Sequence, residues 1–574
     1  MKRLSMNKRF YLLLAFVLLA LSGCAGKSAT LYYTTDTHGR LEADGESIGM
    51  DRIAALKKQT PASLMVDAGD FLQGNPAVNL SEGKDAVRLM KMAGYYAATL
   101  GNHEFDFGQE ALGARIAEAE AGPNPLHILS ANVLKADGGT FVRLAVITTV
   151  NGLKIGFFGL TTGETPVQTH PRNVKGLVFA DVLQTAAQMA AGLRAEGCDV
   201  VVALTHVGTK GVTGTTSRDI AAKVDGIDVV IDGHSHVELN ETLPNGTLLV
   251  SSGAHAEGLG RLILAKSGKH NLKKSAVLLR KADMAAITPD PAVAQSLAQI
   301  KTEQAQLLTR VIGATPVDLD AERVNIRTRE TNFGNLCADA LRNMTGANVA
   351  IINGGGIRHS IAKGTITKGD VIAAIPFADA VVTKEVTGAQ LLEILEHGFS
   401  GLPGESGGFP QLSGLSVRID PTRPAGKRVI STTLANGKTL EPERKYTLAV
   451  SDFLAVGGDG YPVLAKLPIQ KQYLPPDAAL ETYLKVMGDK AFENIVPGRI
   501  KTAESDANSR HQARKTPTRS ATPDKKRSIS TRCLNDRSLI LSLTFAPAKA
   551  EMRTAGSIQA NAPSTGVVSF PVAA

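Results

Sequence analysis

Five short apolar runs end in the same few residue types, and this recurrence constrains the fold more than any other feature of the chain. Leu31-Tyr32-Tyr33 leads into Asp36-Thr37-His38-Gly39, and Leu64-Met65-Val66 into Asp67-Ala68-Gly69-Asp70. Ala97-Ala98-Thr99-Leu100 leads into Gly101-Asn102-His103-Glu104-Phe105-Asp106. Val200 to Leu204 leads into Thr205-His206, and Val229-Val230-Ile231 into Asp232-Gly233-His234-Ser235-His236. Runs of this kind, rich in β-branched or aromatic residues and closed by polar groups, read as buried strands. Helical patterns lie between them, such as 181–196 with Val182, Leu183, Ala186, Met189, Ala190 and Leu193 on one face. The alternation predicts an α/β domain, with the polar groups at the carboxyl ends of its strands, where open sheets place their sites.

A single buried strand ending in His or Asp is ordinarily a satisfied core group. Five such endings, with Asp36/His38 and His234/His236 each spaced i, i+2, are a different matter, because i and i+2 point to one side of an extended segment. Asp36, His38, Asp70, Asn102, His206, His234 and His236 together offer carboxylate, imidazole and amide oxygen. That donor mixture suits Zn, Mn, Fe or Co rather than Ca. Seven groups exceed one tetrahedral ion but suit two ions sharing a carboxylate. Strand alternation turns Asp67 and Asp232 to the opposite face, and His255 is placed behind the ligands as a neighbour that orients them. His127, His170, His270 and His397 lack partner spacing and are read as surface or core groups.

The motifs DxH, GD, GNHE, TH and GHxH, in this order, are similar to those of the calcineurin-like metallophosphoesterases. The longer forms Thr35-Asp36-Thr37-His38-Gly39, Gly101 to Asp106 and Gly233 to His236 resemble the bacterial and animal 5′-nucleotidases within that group. The resemblance implies a four-layer αββα metallophosphoesterase domain followed by a smaller α+β C-terminal domain. It implies two divalent ions (Zn, Mn, Co or Mg): one on Asp36, His38 and His236, the other on Asn102, His206 and His234, with Asp70 between them. It also implies a catalytic dyad of His103 and Asp106. Chemistry agrees: paired metals clamp a phosphoryl oxygen and lower the pKa of water, and an imidazole beside them can stabilise developing charge or assist the leaving group. A pair capping a helix N-terminus is the alternative for His103 and Asp106.

Pro289-Asp290-Pro291 opens a helical stretch near 292–310, with Val293, Leu297, Ile300 and Leu307 or Leu308 on one face. Arg323 and Arg327, four apart, read by spacing alone as a solvated helical face. Ile351-Ile352-Asn353-Gly354-Gly355-Gly356-Ile357-Arg358 is a buried strand running into glycines and an arginine; glycines admit a ligand close to the backbone and arginine grips phosphate. The resemblance extends over residues 30–500 and carries substrate binding to Arg323, Arg327 and Arg358, base stacking to Phe377 and Phe453, and the ribose hydroxyls to Asp459. Without it, both Phe read as core. Asp379 stands where some relatives carry Asn; as a carboxylate it would only accept hydrogen bonds. Thr387 to Phe399, with Leu391, Leu392, Leu395 and Phe399, reads as an amphipathic core helix.

Residues 1–9 are basic and 11–21 apolar, too short to span a bilayer comfortably, which reads as a signal peptide. Leu21-Ser22-Gly23-Cys24 resembles a bacterial lipobox, implying acylation of Cys24 and a membrane anchor. The net charge of +9 is concentrated at the ends, +4 in residues 1–23 and +7 in 501–574, leaving −2 on residues 24–500. A basic nucleic-acid surface is therefore not indicated, and no protein partner is implied. Four scattered cysteines exclude a disulfide framework and a thiolate zinc site, and Cys198 and Cys337 read as small core residues. The predicted organisation is a lipoprotein signal peptide (1–23), a metallophosphoesterase domain (28–285), a linker helix (286–312), a substrate-binding domain (313–500) and a disordered basic tail (501–574).

Together with the N-terminal segment, the resemblance implies an exported, membrane-anchored 5′-nucleotidase acting on nucleoside 5′-monophosphates, with nucleoside diphosphates and UDP-sugars as further candidate substrates. The alternatives are a 2′,3′-cyclic-nucleotide 2′-phosphodiesterase/3′-nucleotidase and a catalytically inactive surface-binding lipoprotein.

Overall fold

The computed structural model describes residues 27–209, 215–268, 271–377 and 379–502, all within one compact unit. Cys24 and the signal peptide, His270, and the tail from residue 503 lie outside the described residues.

Two six-stranded sheets form the first domain. One runs in spatial order Asn271–Arg280, Gly258–Ser267, Lys27–Thr34, Ser63–Asp67, Ala97–Thr99 and His127–Leu129. The other runs Glu238–Thr242, Leu248–Ser252, Val229–Asp232, Val200–His206, Leu153–Thr161 and Ala145–Val150. Period-two alternation explains their stacking. Leu31 and Tyr33 share an apolar cluster with Val200, Val202 and Leu204 between the sheets. Tyr32 faces instead the cluster under the helices Met50–Gln59 and Lys84–Ala93. Val201 and Ala203 face the cluster under the helix Val182–Ala195. Strands buried on both faces need helices outside and a sheet inside, which gives four layers, αββα.

Parallel register aligns the strand ends. Thr34 sits beside Asp67, Asp67 beside Ala98, Thr161 beside His206, and Asp232 beside Thr205. The loops after these strands therefore emerge at one rim.

The helix Pro291–Leu308 begins where Asp290 accepts the N–H groups of Ala292 and Val293, with proline at its first position. Val293 and Ile300 are buried in the first domain's outer core, with Leu297 packed against them, whereas Leu307 is exposed. The second domain centres on a mixed sheet ordered Pro410–Ser413, Val349–Asn353, Lys445–Ser451, Val381–Thr387 and Ile469–Gln472. Alternation again divides its faces: Val349 and Ile351 join one cluster, Ala350 and Ile352 the other. The helices Gly388–Gly398 and Asn332–Thr345 cover them. Leu391, Leu395 and Phe399 are buried as expected, but Leu392 points outward. Cys198 and Cys337 are buried and free. No helix among the described residues is long and apolar enough to cross a membrane.

Candidate active site

The rim carries an unusual density of strained backbone. Asp36, His38, Asp70, His234 and His236 all have positive φ, between 46° and 78°. Such conformations cost a non-glycine residue about 1–3 kcal/mol and persist where surrounding bonds enforce them. Here Asp36 N–H donates to Gly69 O at 3.1 Å, His38 N–H to Asp70 O at 2.8 Å, and His234 N–H to Asp36 Oδ1 at 2.8 Å. Gly101 is required for close approach: a Cβ there would lie 2.2 Å from Asp70 Oδ1.

All seven residues expected as ligands converge. Asp36, His38 and His236 form one group, and Asp36, Asp70 and His206 another, the ligand atoms of each lying within 4.8 Å of one another. Asp36 thus belongs to both, and Asp70 Oδ2 reaches both, 3.0 Å from His206 Nε2 and 3.8 Å from His38 Nε2. Asn102 Oδ1 lies 3.0 Å from His234 Nδ1.

The donor chemistry fits a cation. His206 Nδ1 lies 2.8 Å from the Ala68 carbonyl and His38 Nδ1 3.2 Å from the Gln73 carbonyl, so each ring carries its proton on Nδ1. Their Nε2 lone pairs then point inward, His38 Nε2 at 3.1 Å from His236 Nε2. Asp36 Oδ2 and His206 Nε2 are buried without an aligned hydrogen-bond partner. Lone pairs gathered this way in a dry site repel one another unless positive charge sits among them. Burial pushes the Asp36 carboxyl up.

The supporting residues were less legible. Glu104, given no role from sequence, is buried and accepts four backbone N–H groups: Asp70 at 2.8 Å and Gly101 at 2.6 Å on Oε2, Phe71 at 2.8 Å and Leu72 at 3.0 Å on Oε1. Only its place in GNHE marked it. Asp67 accepts from Thr34 Oγ1 and Gly69 N–H, and Asp232 from Thr205 Oγ1 and Val207 N–H, so both carboxylates brace strand ends. His103 Nδ1 lies 2.6 Å from Asp106 Oδ2, while Thr169 Oγ1 donates to Asp106 Oδ1 at 2.8 Å. Asp106 is thereby aimed at the imidazole, and its side chain caps no helix N-terminus. His255 rests against His38 and His236, its ring centroid 5.5 Å from each.

A cavity of about 150 Å³ opens from this centre towards the second domain, lined by His103, Asp106, Arg323, Arg327, Arg358, Phe377, Phe453 and Asp459, among others. The solvated-face reading of Arg323 and Arg327 is wrong. Arg323 opens a four-residue helix, Arg323–Ile326, and Arg327 follows it; both line the cavity. Arg327 is half-buried, and its guanidinium has no hydrogen-bond partner among the described residues. Burial, then Arg323 and Arg358, pushes its pKa well down. Arg358 is pushed down to about 10 by burial and Arg323. Three guanidinium groups converge here and, among the described residues, only Arg323 has an ion-pair partner, Glu405 at 3.1 Å, so together they form a seat for a bound anion. Phe377 stacks on His103, centroids 5.7 Å apart and planes 28° apart, under the Arg358 guanidinium. Asn353 Nδ2 donates to Asp459 Oδ2 at 2.6 Å, and Asp459 adopts φ of 51°.

Three polar assignments change. His397 is no isolated group: its Nε2 lies 2.9 Å from the Asp459 carbonyl, fixing that strained residue. His170 lines the cavity and sits 3.5 Å from Asp452 of the second domain. Asp379 is not a simple acceptor. Burial, then Asp452 and Asp106, pushes its carboxyl up to about 8, so at neutral pH it is protonated and can donate.

Residues 29–238 match the family model for the calcineurin-like phosphoesterase, and residues 311–466 that for the 5′-nucleotidase C-terminal domain. A snake venom 5′-nucleotidase of Crotalus adamanteus is 30% identical over 78% of this chain and 84% of its own. The chain belongs to the 5′-nucleotidase family. The family's fold extends over the described domains: a 5′-nucleotidase precursor from Thermus thermophilus, 28% identical, superposes with a TM-score of 0.72 over 83% of this chain and 99% of its own. The trifunctional nucleotide phosphoesterase protein YfkN of Bacillus subtilis is 31% identical over 82% of this chain, which spans only 35% of that relative's length. The chain thus carries a calcineurin-like phosphoesterase domain whose rim groups could hold a metal ion.

Proposed function

We propose that the chain is a two-metal 5′-nucleotidase that releases phosphate from nucleoside 5′-monophosphates, with nucleoside diphosphates and UDP-sugars as further candidates. The observation that carries this reading is the single cavity joining the cluster of ligand atoms to three converging arginines, two phenylalanines and Asp459. Two divalent ions, Zn, Mn, Co or Mg, held by Asp36, His38, Asp70, Asn102, His206, His234 and His236, would supply Lewis acidity and a water of lowered pKa. Arg323, Arg327 and Arg358 bind the phosphate. Phe377 and Phe453 hold the base; stacking contributes about 1–3 kcal/mol per base and accepts any base. His103, oriented by Asp106, donates to the phosphoryl or leaving oxygen. Export and acylation at Cys24 complete the proposal; radiolabelled palmitate should enter the native chain and be absent from Cys24→Ala.

The test is phosphate release from AMP, UDP-glucose, 3′-AMP, 2′,3′-cyclic AMP and p-nitrophenyl phosphate with each metal. AMP turnover is expected, together with loss of both bound metal and activity in Asp36→Ala, read by elemental analysis. Preference for 3′-AMP or the cyclic nucleotide would overturn it.

Asp379 adds a pH dependence. Its neutral form predominates below about pH 8 and loses its proton above, removing a donor and adding negative charge beside an anionic substrate. The KM for AMP is expected to rise as pH passes upward through 8. Asp379→Asn should flatten that rise while leaving the neutral-pH KM within about threefold.

A further inference from the structure

A second cavity, of about 250 Å³, lies on the far side of the arginine cluster. His236, Arg323, Arg327 and Arg358 face both cavities, so they form a wall common to the two. The outer side is contributed by Arg40, His255 and His359, none of which is used in the reading above. Its lining carries four arginines, Arg40, Arg323, Arg327 and Arg358, against one carboxylate. The one acidic residue among the lining, Asp370, is committed elsewhere: its Oδ2 accepts from Thr367 N–H and Oγ1, both at 2.7 Å. At the edges Arg40 pairs with Asp44 at 3.0 Å and Arg323 with Glu405 at 3.1 Å, leaving Arg327 with no such partner among the described residues.

His255 supplies a second, independent sign. Its Nδ1 is buried without a hydrogen-bond partner, and its backbone is strained, with φ of 56°. The strain is enforced by its N–H donating to the Asp36 carbonyl at 2.8 Å. A buried ring nitrogen left unpaired is costly and persists where a ligand or its surroundings require that ring position.

We propose that this second cavity is a subsite for a phosphate-sized anion, held between Arg40, His255 and His359 on one side and the shared arginines on the other. Its occupant is either the inorganic phosphate leaving the reaction centre or a second phosphoryl group carried by the substrate. The nucleoside half of a substrate occupies the first cavity, so the two cavities separate the two halves of the cleaved molecule. This inference rests on the nucleotidase reading for the origin of the anion, but not for its binding.

The experiment compares the full chain as purified with the double variant Arg40→Gln/His359→Gln. Equilibrium dialysis of radiolabelled inorganic phosphate requires no turnover, so it decides the subsite even if AMP is not a substrate. Phosphate affinity is expected to fall about tenfold, with kcat and KM for AMP within about twofold, and Arg40→Lys should restore part of the loss. A tenfold rise in the inhibition constant of phosphate, with the ADP to AMP ratio of KM unchanged, assigns the site to released phosphate. A tenfold rise in KM for ADP relative to AMP assigns it to a second phosphoryl group. Unchanged phosphate binding, or an equal loss of AMP affinity, would overturn the proposal.

Discussion

Glu104→Ala is expected to unfold the first domain at markedly lower denaturant and to strip the metal cluster. The side chain is 1% exposed and accepts the N–H groups of Asp70, Phe71, Leu72 and Gly101. Each buried donor left unpaired costs about 1–3 kcal/mol, and relaxation recovers part of the sum. We expect a loss of about 4 kcal/mol, among the largest that one substitution produces. Glu104→Gln keeps one carbonyl oxygen and should lose roughly half of that. The midpoint of urea unfolding measures both, and elemental analysis of the folded fraction measures the metal. If the alanine variant unfolds at the native midpoint, those four bonds do not hold the rim together.

His103→Ala should lower kcat without loss of metal. A positioned acid or base contributes about 10²–10⁴ in rate, and kcat for AMP is expected to fall by that range. Metal content should stay at the native level, because the group of His103 that touches Asp70 is its backbone N–H, donating to Oδ1 at 3.0 Å, and alanine keeps it. Asp106→Asn should reduce kcat less, about tenfold or more, since Thr169 and the turn still hold the residue while the imidazole loses its charged partner. A His103→Ala enzyme with native kcat would remove the dyad from the mechanism.

The two predictions separate kinds of residue that differ in how visible they are in sequence. His103 was legible because it follows Asn102 at a strand end, within a recurring pattern of chemically unusual residues. Glu104 stands next to it and was silent, because its partners are backbone groups, three of the four in the loop 70–72 more than thirty residues away. Backbone donors have no sequence signature. His170 and His397 were misread because their partners lie far away in the sequence. One meets Asp452 across the domains and the other meets a main-chain carbonyl. Arg323 and Arg327 show the opposite failure. Their i, i+4 spacing matches a solvated helix, but that helix is only four residues long, and both side chains line the cavity.

What the sequence determined alone was the layered α/β architecture of the first domain and the identity of the groups that cluster at its rim. Both follow from local rules: alternation decides which face of a strand is buried, and i, i+2 spacing decides which side chains share a direction. What only the tertiary structure decided was charge and connection. The protonated state of Asp379, the convergence of three arginines and the cavity beyond them depend on which distant groups are brought near and how much water is excluded. Those quantities are set by packing between domains, because an ionisation or an ion-binding site is a property of its surroundings rather than of its residue type.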